Sequence, residues 1–230
     1  MTHADPAPRP AAARDETCGA VMDWRRTARI GLPEAVYAPG KTAPQVDAIV
    51  AEALALGERL LITGLDADKH AALAARDRLD YHPRSRTAIL GEIETPAEAA
   101  VAVVTGGLAD LPVAEEAIRT LAFSGVNAAC IGDVGVAGLW RLLDRIEEIR
   151  RFPVVIAVAG MEGALFSVLA GLIAQPIIAL PASVGRGVAT GGRVALESAL
   201  ASCAPGLVAV NIDNGFGAAQ AALRILRATR

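Results

Sequence analysis

Hydrophobic and polar positions alternate in blocks along this chain, and the densest apolar block frames the rest. Residues 154–180 read VVIAVAGMEGALFSVLAGLIAQPIIAL, with a single carboxylate, Glu162, inside. A run of that length would suit a bilayer span, which takes about 20 apolar residues. Its punctuation divides it instead. Val154–Ala159 is a β-branched run ending at Gly160, 163–173 has the length of a helix, Gln175-Pro176 breaks it, and 177–180 is a second short apolar run. Parallel strands covered on both faces read as unbroken apolar runs, so the block predicts strand, helix, strand.

The same unit recurs five times after residue 100. Strands are predicted at 101–104, 126–131, 154–159, 177–180 and 207–210, with helices at 111–123, 136–150, 162–173, 188–202 and 215–228. Strands alternating with helices of this length call for right-handed crossovers and a parallel sheet with both faces covered. The expected fold class is α/β: a three-layer α/β/α sandwich on a five-stranded parallel sheet, flavodoxin-like or Rossmann-like. Ahead of it, Thr42 caps an apolar-periodic helix, Leu60–Thr63 and Thr87–Leu90 read as strands, and 67–78 as a helix. The implied organisation is a disordered leader (1–22), a small α/β N-terminal subdomain (23–92) and a catalytic domain (93–230).

Composition narrows the class. Of 230 residues, 53% are hydrophobic and only 3% aromatic, so the core is built from Ala, Val, Leu and Ile. A net charge of −3 offers no basic footprint for nucleic acid or an anionic membrane. Cys18, Cys130 and Cys203 fit neither a disulfide framework nor a zinc spacing, which favours the reducing cytoplasm. Cys130, inside a predicted strand, reads as a core residue.

Ligands of doubly wound sheets bind beyond the carboxyl ends of the strands. Five segments leave those ends: TGGLAD (105–110), GDVG (132–135), GMEG (160–163), PASVGRG (181–187) and NIDNGFG (211–217). Each carries glycine, and helix N-termini there would present backbone N–H groups to phosphate or carboxylate. None of the turns is a dinucleotide fingerprint or a P-loop.

Taken together, VVTGGLADLPVAEEA, IGDVGVAGLWRLL, VAGMEGALFSVLAGL, PASVGRG and SCAPGLVAVNIDNGFGAA resemble the LarB-type carboxylases of nickel-pincer cofactor biosynthesis. Their catalytic domain is similar to the purine-pathway carboxyaminoimidazole ribonucleotide mutase. RIGLPEAVYAPGKT (29–42) matches the family's N-terminal motif more loosely. The resemblance implies carboxylation of the pyridinium ring of nicotinic acid adenine dinucleotide and cleavage of its phosphoanhydride, giving pyridinium-3,5-biscarboxylic acid mononucleotide and AMP. Carbon dioxide or bicarbonate is the co-substrate, no tightly bound cofactor is implied, and a divalent metal is left open. Relatives with this fold form symmetric octamers, so a homo-oligomer is expected. By the same resemblance, Cys203 is the nucleophile, Glu162 serves the phosphoanhydride step and Asp110 is a catalytic acid or base. Thr105, Gly106, Gly107, Asp133, Gly160, Met161, Ser183, Gly185, Arg186, Asn211 and Asp213 then bind substrate. Each carboxylate has a plainer role open to it: Glu162 beside a helix dipole, Asp110 and Asp133 as caps, Asp213 as a turn former.

Six positions depart from the family pattern: Gly107 in place of a hydroxyl residue, Trp140 of His, Phe166 of Pro, Ala182 of Thr, Arg186 of Tyr and Ala201 of Asn. Arg186 adds a bidentate anion donor beside the expected phosphate turn. Two alternatives accompany the leading reading. One is a purine-type mutase, disfavoured because His3, His70 and His82 all precede the repeated units. The other is a nucleotide-binding relative that has lost turnover.

Overall fold

The structure is a computed structural model that describes residues 19–228. Most of the expected leader, with His3 and Cys18, lies outside the described residues. Two sheets build the molecule.

The first is mixed. A short helix, α1 (Arg26–Ile30), precedes β1 (Ala35–Tyr37), then α2 (Ala43–Leu56), β2 (Leu60–Thr63), α3 (Ala67–Ala72), β3 (Leu79–His82) and β4 (Thr87–Leu90). The strand order is β1-β2-β4-β3, with only β1 and β2 parallel. Thr42 caps α2 as its spacing predicts. Its hydroxyl accepts from the Gln45 N–H while Gln45 Oε1 accepts the Thr42 N–H, and Gly57 closes the helix at φ 67°. The helix expected over 67–78 is broken. Leu73 is extended and fully buried, and the Asp47 carboxylate takes the N–H groups of Ala74 and Ala75 that a continuing helix would use. A 3₁₀ turn, Arg76–Arg78, leads into β3.

The second sheet carries the repeated units. In chain order these are β5 (Val101–Thr105), α4 (Leu111–Phe123), β6 (Ala128–Ile131), α5 (Leu139–Leu143), α6 (Ile146–Ile149), β7 (Val154–Ala159), α7 (Ala164–Leu172), β8 (Ile177–Pro181), α8 (Arg193–Leu200), β9 (Leu207–Ala209) and α9 (Gly215–Ala228). All five strands are parallel, in the order β6-β5-β7-β8-β9. Period-2 alternation sends successive side chains to opposite faces. Ala102, Val104, Val155, Ala157 and Ala179 pack under α5 to α8, while Val101, Val103, Ile156, Val158 and Ile178 pack under α4 and α9. This is the expected three-layer sandwich of the flavodoxin-like class. The apolar block of 154–180 becomes β7, α7 and β8, and among the described residues no helix is long and apolar enough to cross a membrane.

Three helices start late or break. Gly163 stands at φ 65° before α7, the 3₁₀ segment 187–192 is kinked at Thr190 and Gly191 ahead of α8, and non-helical Arg145 separates α5 from α6. Cys130 corrects the core reading: β6 is an edge strand, and the thiol is exposed on it.

The two sheets are locked together. Leu61 and Ile89 cluster with Phe123 from the end of α4, and the Arg59 guanidinium lies 4.7 Å over the Phe123 ring and donates to its carbonyl. Arg119 on α4 donates to Thr87 Oγ1 at 2.7 Å and to Asp80 on β3, and Arg84 forks onto Glu115.

Candidate active site

The turns leaving the five parallel strands are stitched to one another across the sheet, each to its neighbour. Between β6 and β5, the Asp133 N–H donates to Thr105 Oγ1 at 3.2 Å and the Val134 N–H to the Thr105 carbonyl. Gly135 fits against the Gly106 carbonyl, where a Cβ would sit 2.6 Å away. Between β5 and β7, the point where the strand order reverses, the Asp110 carboxylate accepts the Gly107 N–H at 2.8 Å and the Gly160 N–H at 3.1 Å. Between β7 and β8, the Met161 N–H donates to the Val184 carbonyl, and a Cβ on Gly160 would collide with that same oxygen. Between β8 and β9, Asp213 Oδ1 accepts the Ser183 N–H at 2.8 Å.

Strain collects along this line. Four non-glycine residues among those described adopt left-handed backbone: Asp133 (φ 58°), Met161 (φ 52°), Asp213 (φ 54°) and Arg86 (φ 54°). Three lie in strand-end turns. Such conformations cost about 1–3 kcal/mol each and persist only where the surroundings over-determine them.

Electrostatics divide the carboxylates. Asp110 is buried. Desolvation pushes its carboxyl above the usual range, while N–H groups of Gly107, Gly160 and Gly106 pull it back. Asp133 is half-exposed and pairs with Arg141 at 3.1 Å, a partner the sequence reading missed although it follows the GDVG turn by six residues. Glu162 is exposed. It lies ahead of α7, whose N-cap is Gly163 and makes no side-chain capping bond, so the capping role open to Glu162 is not taken. The cap of α9 falls to Asn214, whose Oδ1 accepts the Gly217 N–H.

The expected site residues therefore separate into four groups. Thr105, Gly106, Gly107, Asp110, Asp133, Gly160, Met161 and Glu162 gather around β6, β5 and β7. Within that group the Thr105 hydroxyl is fully buried and holds the Asp133 turn, which makes it a positioning residue. Ser183, Asn211 and Asp213 line a cleft of about 760 Å³ between the two sheets. Gly185 fits where a side chain would strike the Ala189 carbonyl, and Arg186 is exposed beside it. Cys203 stands apart. It is exposed in the connection from α8 to β9, next to Ser202, whose hydroxyl lies 2.7 Å from that of Ser167 in the first half of α7, the helix that follows Glu162.

The departures from the family pattern are also legible. Phe166 is fully buried against Gly163, filling the core under the GMEG turn, and Ala182 is buried at the end of β8. Trp140 is 66% exposed at the start of α5. Among the described residues, no group of three or more His, Cys, Asp and Glu side chains gathers as a metal set would.

Comparison with known proteins bears on both sheets. Residues 15–92 match the LarB/PurE-like N-terminal domain and residues 100–230 match AIR carboxylase. An uncharacterized protein of Methanocaldococcus jannaschii is 36% identical over 210 residues, covering 86% of this chain and 80% of that protein.

Proposed function

This chain belongs to the family that joins a LarB/PurE-like N-terminal domain to an AIR carboxylase domain, and from that premise we propose that it is the pyridinium carboxylase of nickel-pincer cofactor synthesis. Its substrate is nicotinic acid adenine dinucleotide, and its co-substrate is carbon dioxide or bicarbonate. The products are pyridinium-3,5-biscarboxylic acid mononucleotide and AMP. The observation that carries this reading is the Asp110 carboxylate, which ties the TGGLAD turn to the GMEG turn at the point where strand order reverses.

The chemistry needs a thiolate. A pyridinium carbon is electron-poor and cannot attack carbon dioxide. Addition of the Cys203 thiolate forms a C–S bond, breaks aromaticity and makes an enamine whose neighbouring carbon is nucleophilic. That carbon forms the new C–C bond to carbon dioxide. A base then removes the ring proton, the C–S electron pair returns to sulfur and aromaticity is restored. Water next adds across the phosphoanhydride with Glu162 assisting, and AMP leaves.

Cys203 lies in the connection from α8 to β9 and Glu162 in the turn before α7, and in this reading a second copy brings a thiol to the ligand turns. A homo-oligomer supplies it, as in the octamers formed by relatives of this fold. Free thiols and a nucleotide substrate suit the cytoplasm. Incubation with the dinucleotide and labelled bicarbonate, followed by mass analysis, tests the reading. The expected outcome is a carboxylated mononucleotide plus AMP, with carboxylation abolished in Cys203→Ser and AMP release abolished in Glu162→Gln. AMP without label incorporation in the unmodified protein would sink it.

A further inference from the structure

The cleft between the two sheets has no part in the steps above. It is walled on one side by the N-terminal sheet: Tyr37 at the end of β1, Thr63 at the end of β2, and Arg84 to Arg86 in the hairpin joining β3 to β4. The other wall is α4 at Glu116, with Ser183 and Asn211 to Phe216 from the catalytic sheet. Two sheets of different topology thus point strand ends into one space of about 760 Å³, large enough for a nucleotide.

Charge is segregated across the cleft. Arg84 is held by Glu115, whereas no ion pair engages Arg86 among the described residues. Arg86 is kept on the cleft wall by a left-handed backbone at φ 54°, a conformation that costs an arginine energy and that glycine would adopt freely. Facing it are two carboxylates. Asp213 is fixed by the Ser183 N–H, and Glu116 is partly buried, with one oxygen taken by the Phe216 N–H. A guanidinium on one wall and hydrogen-bond-accepting carboxylates on the other suit a ligand with an anion at one end and hydroxyl donors at the other. A ribose phosphate has that layout; inorganic phosphate lacks the hydroxyls of a sugar and an amine lacks the anion. Aromatic surface completes the set. Only eight of the 230 residues are Phe, Trp or Tyr, and two of them, Tyr37 and Phe216, line this cleft, with the Tyr37 ring largely exposed. Stacking on an aromatic face is the sequence-tolerant way to hold a base.

We propose that this cleft is a nucleoside monophosphate site in which Arg86 holds the phosphate, Glu116 and Asp213 receive ribose hydroxyls and Tyr37 faces the base. It adjoins the catalytic turns. Val184 lines the cleft, while its carbonyl accepts the Met161 N–H and packs on Gly160; Ala109 lines it one residue before Asp110. On the reading given under Proposed function, the cleft therefore takes the adenylate half of the dinucleotide, and the N-terminal sheet is the part that recognises the leaving AMP.

Calorimetric titration of the full chain with AMP, ribose 5-phosphate, adenosine and inorganic phosphate tests this without any turnover. Affinity is expected to fall from AMP to ribose 5-phosphate to phosphate. Arg86→Ala should weaken AMP about tenfold or more. Arg86→Gly keeps the strained turn at no steric cost, so its melting temperature should match or exceed that of the unmodified protein while AMP binding is lost. AMP binding that is absent in the unmodified protein, or equal in Arg86→Gly, overturns the assignment. The carboxylation assay separates the two claims. Arg86-dependent AMP binding without carboxylation leaves this site standing and removes the proposed function. Full turnover with an unchanged KM for the dinucleotide in Arg86→Gly does the reverse.

Discussion

At the scale of a single residue, Glu116 carries the largest pKa perturbation among the described residues. Burial lifts its carboxyl from 4.5 to about 7, the nearby Asp213 charge adds to the rise, and the Phe216 N–H and Arg86 oppose it. A folded-state value above the unfolded one means that the folded protein holds the proton more tightly. That contribution to stability is complete below pH 4.5 and is lost as pH rises through about 7. Glu116→Gln retains an acceptor for the Phe216 N–H and removes the charge. Urea titrations should find the variant more stable by about 3 kcal/mol at pH 8, with the gap closing at pH 4.5. An equal gap at both values would mean that hydrogen bonding, and not ionisation, governs the site. Residues of this kind mark the limit of a sequence reading. Gly160 and Gly135 were legible because close backbone approach tolerates no other side chain. Glu116 and Arg86 were not, because AEEA and PRSR read as ordinary solvated charge until the fold turns one of their residues toward a cleft.

At the scale of elements, the parallel sheet was legible almost strand for strand because β5, β7 and β8 are buried on both faces and read as apolar runs. The N-terminal sheet was half legible. β1 has three residues and β3 reads LDYH, too short and too polar to show a period of two. Missing β3 concealed the hairpin that carries Arg84 and Arg86. Helix lengths were overestimated wherever the chain diverts backbone donors or turns left-handed, as at Leu73 and at Gly191-Gly192. The clamp between the sheets rests on Arg119, mostly buried on α4 and bonded to Thr87 and Asp80. Arg119→Ala should cost about 1–3 kcal/mol. Hydrogen exchange should localise the effect, with amides of β3 and β4 losing protection while β5, β7 and β8 keep theirs. Protection lost evenly in both sheets would mean that the clamp is not what joins them.

For the whole molecule, the question is which copy supplies the thiol: Glu162 precedes α7, and Cys203 follows α8 beside Ser202, which bonds Ser167 of α7. Apolar surface accompanies each. Met161 and Trp140 are exposed on the side of the ligand turns, and Leu200 and Val208 flank Cys203 in sequence and are 70% and 49% exposed. Exposed apolar residues at both places suit contacts between copies, with the thiol of one chain meeting the turns of another. Subunit complementation tests this arrangement. Cys203→Ser and Glu162→Gln should each be inactive in the overall reaction. Co-expressed, they assemble at random. In a mixed pair, one shared site carries both substitutions and the other carries neither, so about a quarter of the unmodified activity should return. Mixing the two variants after each has assembled provides the control. Activity that returns only on co-expression requires a site shared between chains. Equal activity in both preparations would instead mean that a carboxylated dinucleotide leaves one centre and is hydrolysed at another. No activity in either would place thiol and carboxylate in the same chain's site, with the α8–β9 connection held to α7 by the Ser202–Ser167 hydrogen bond.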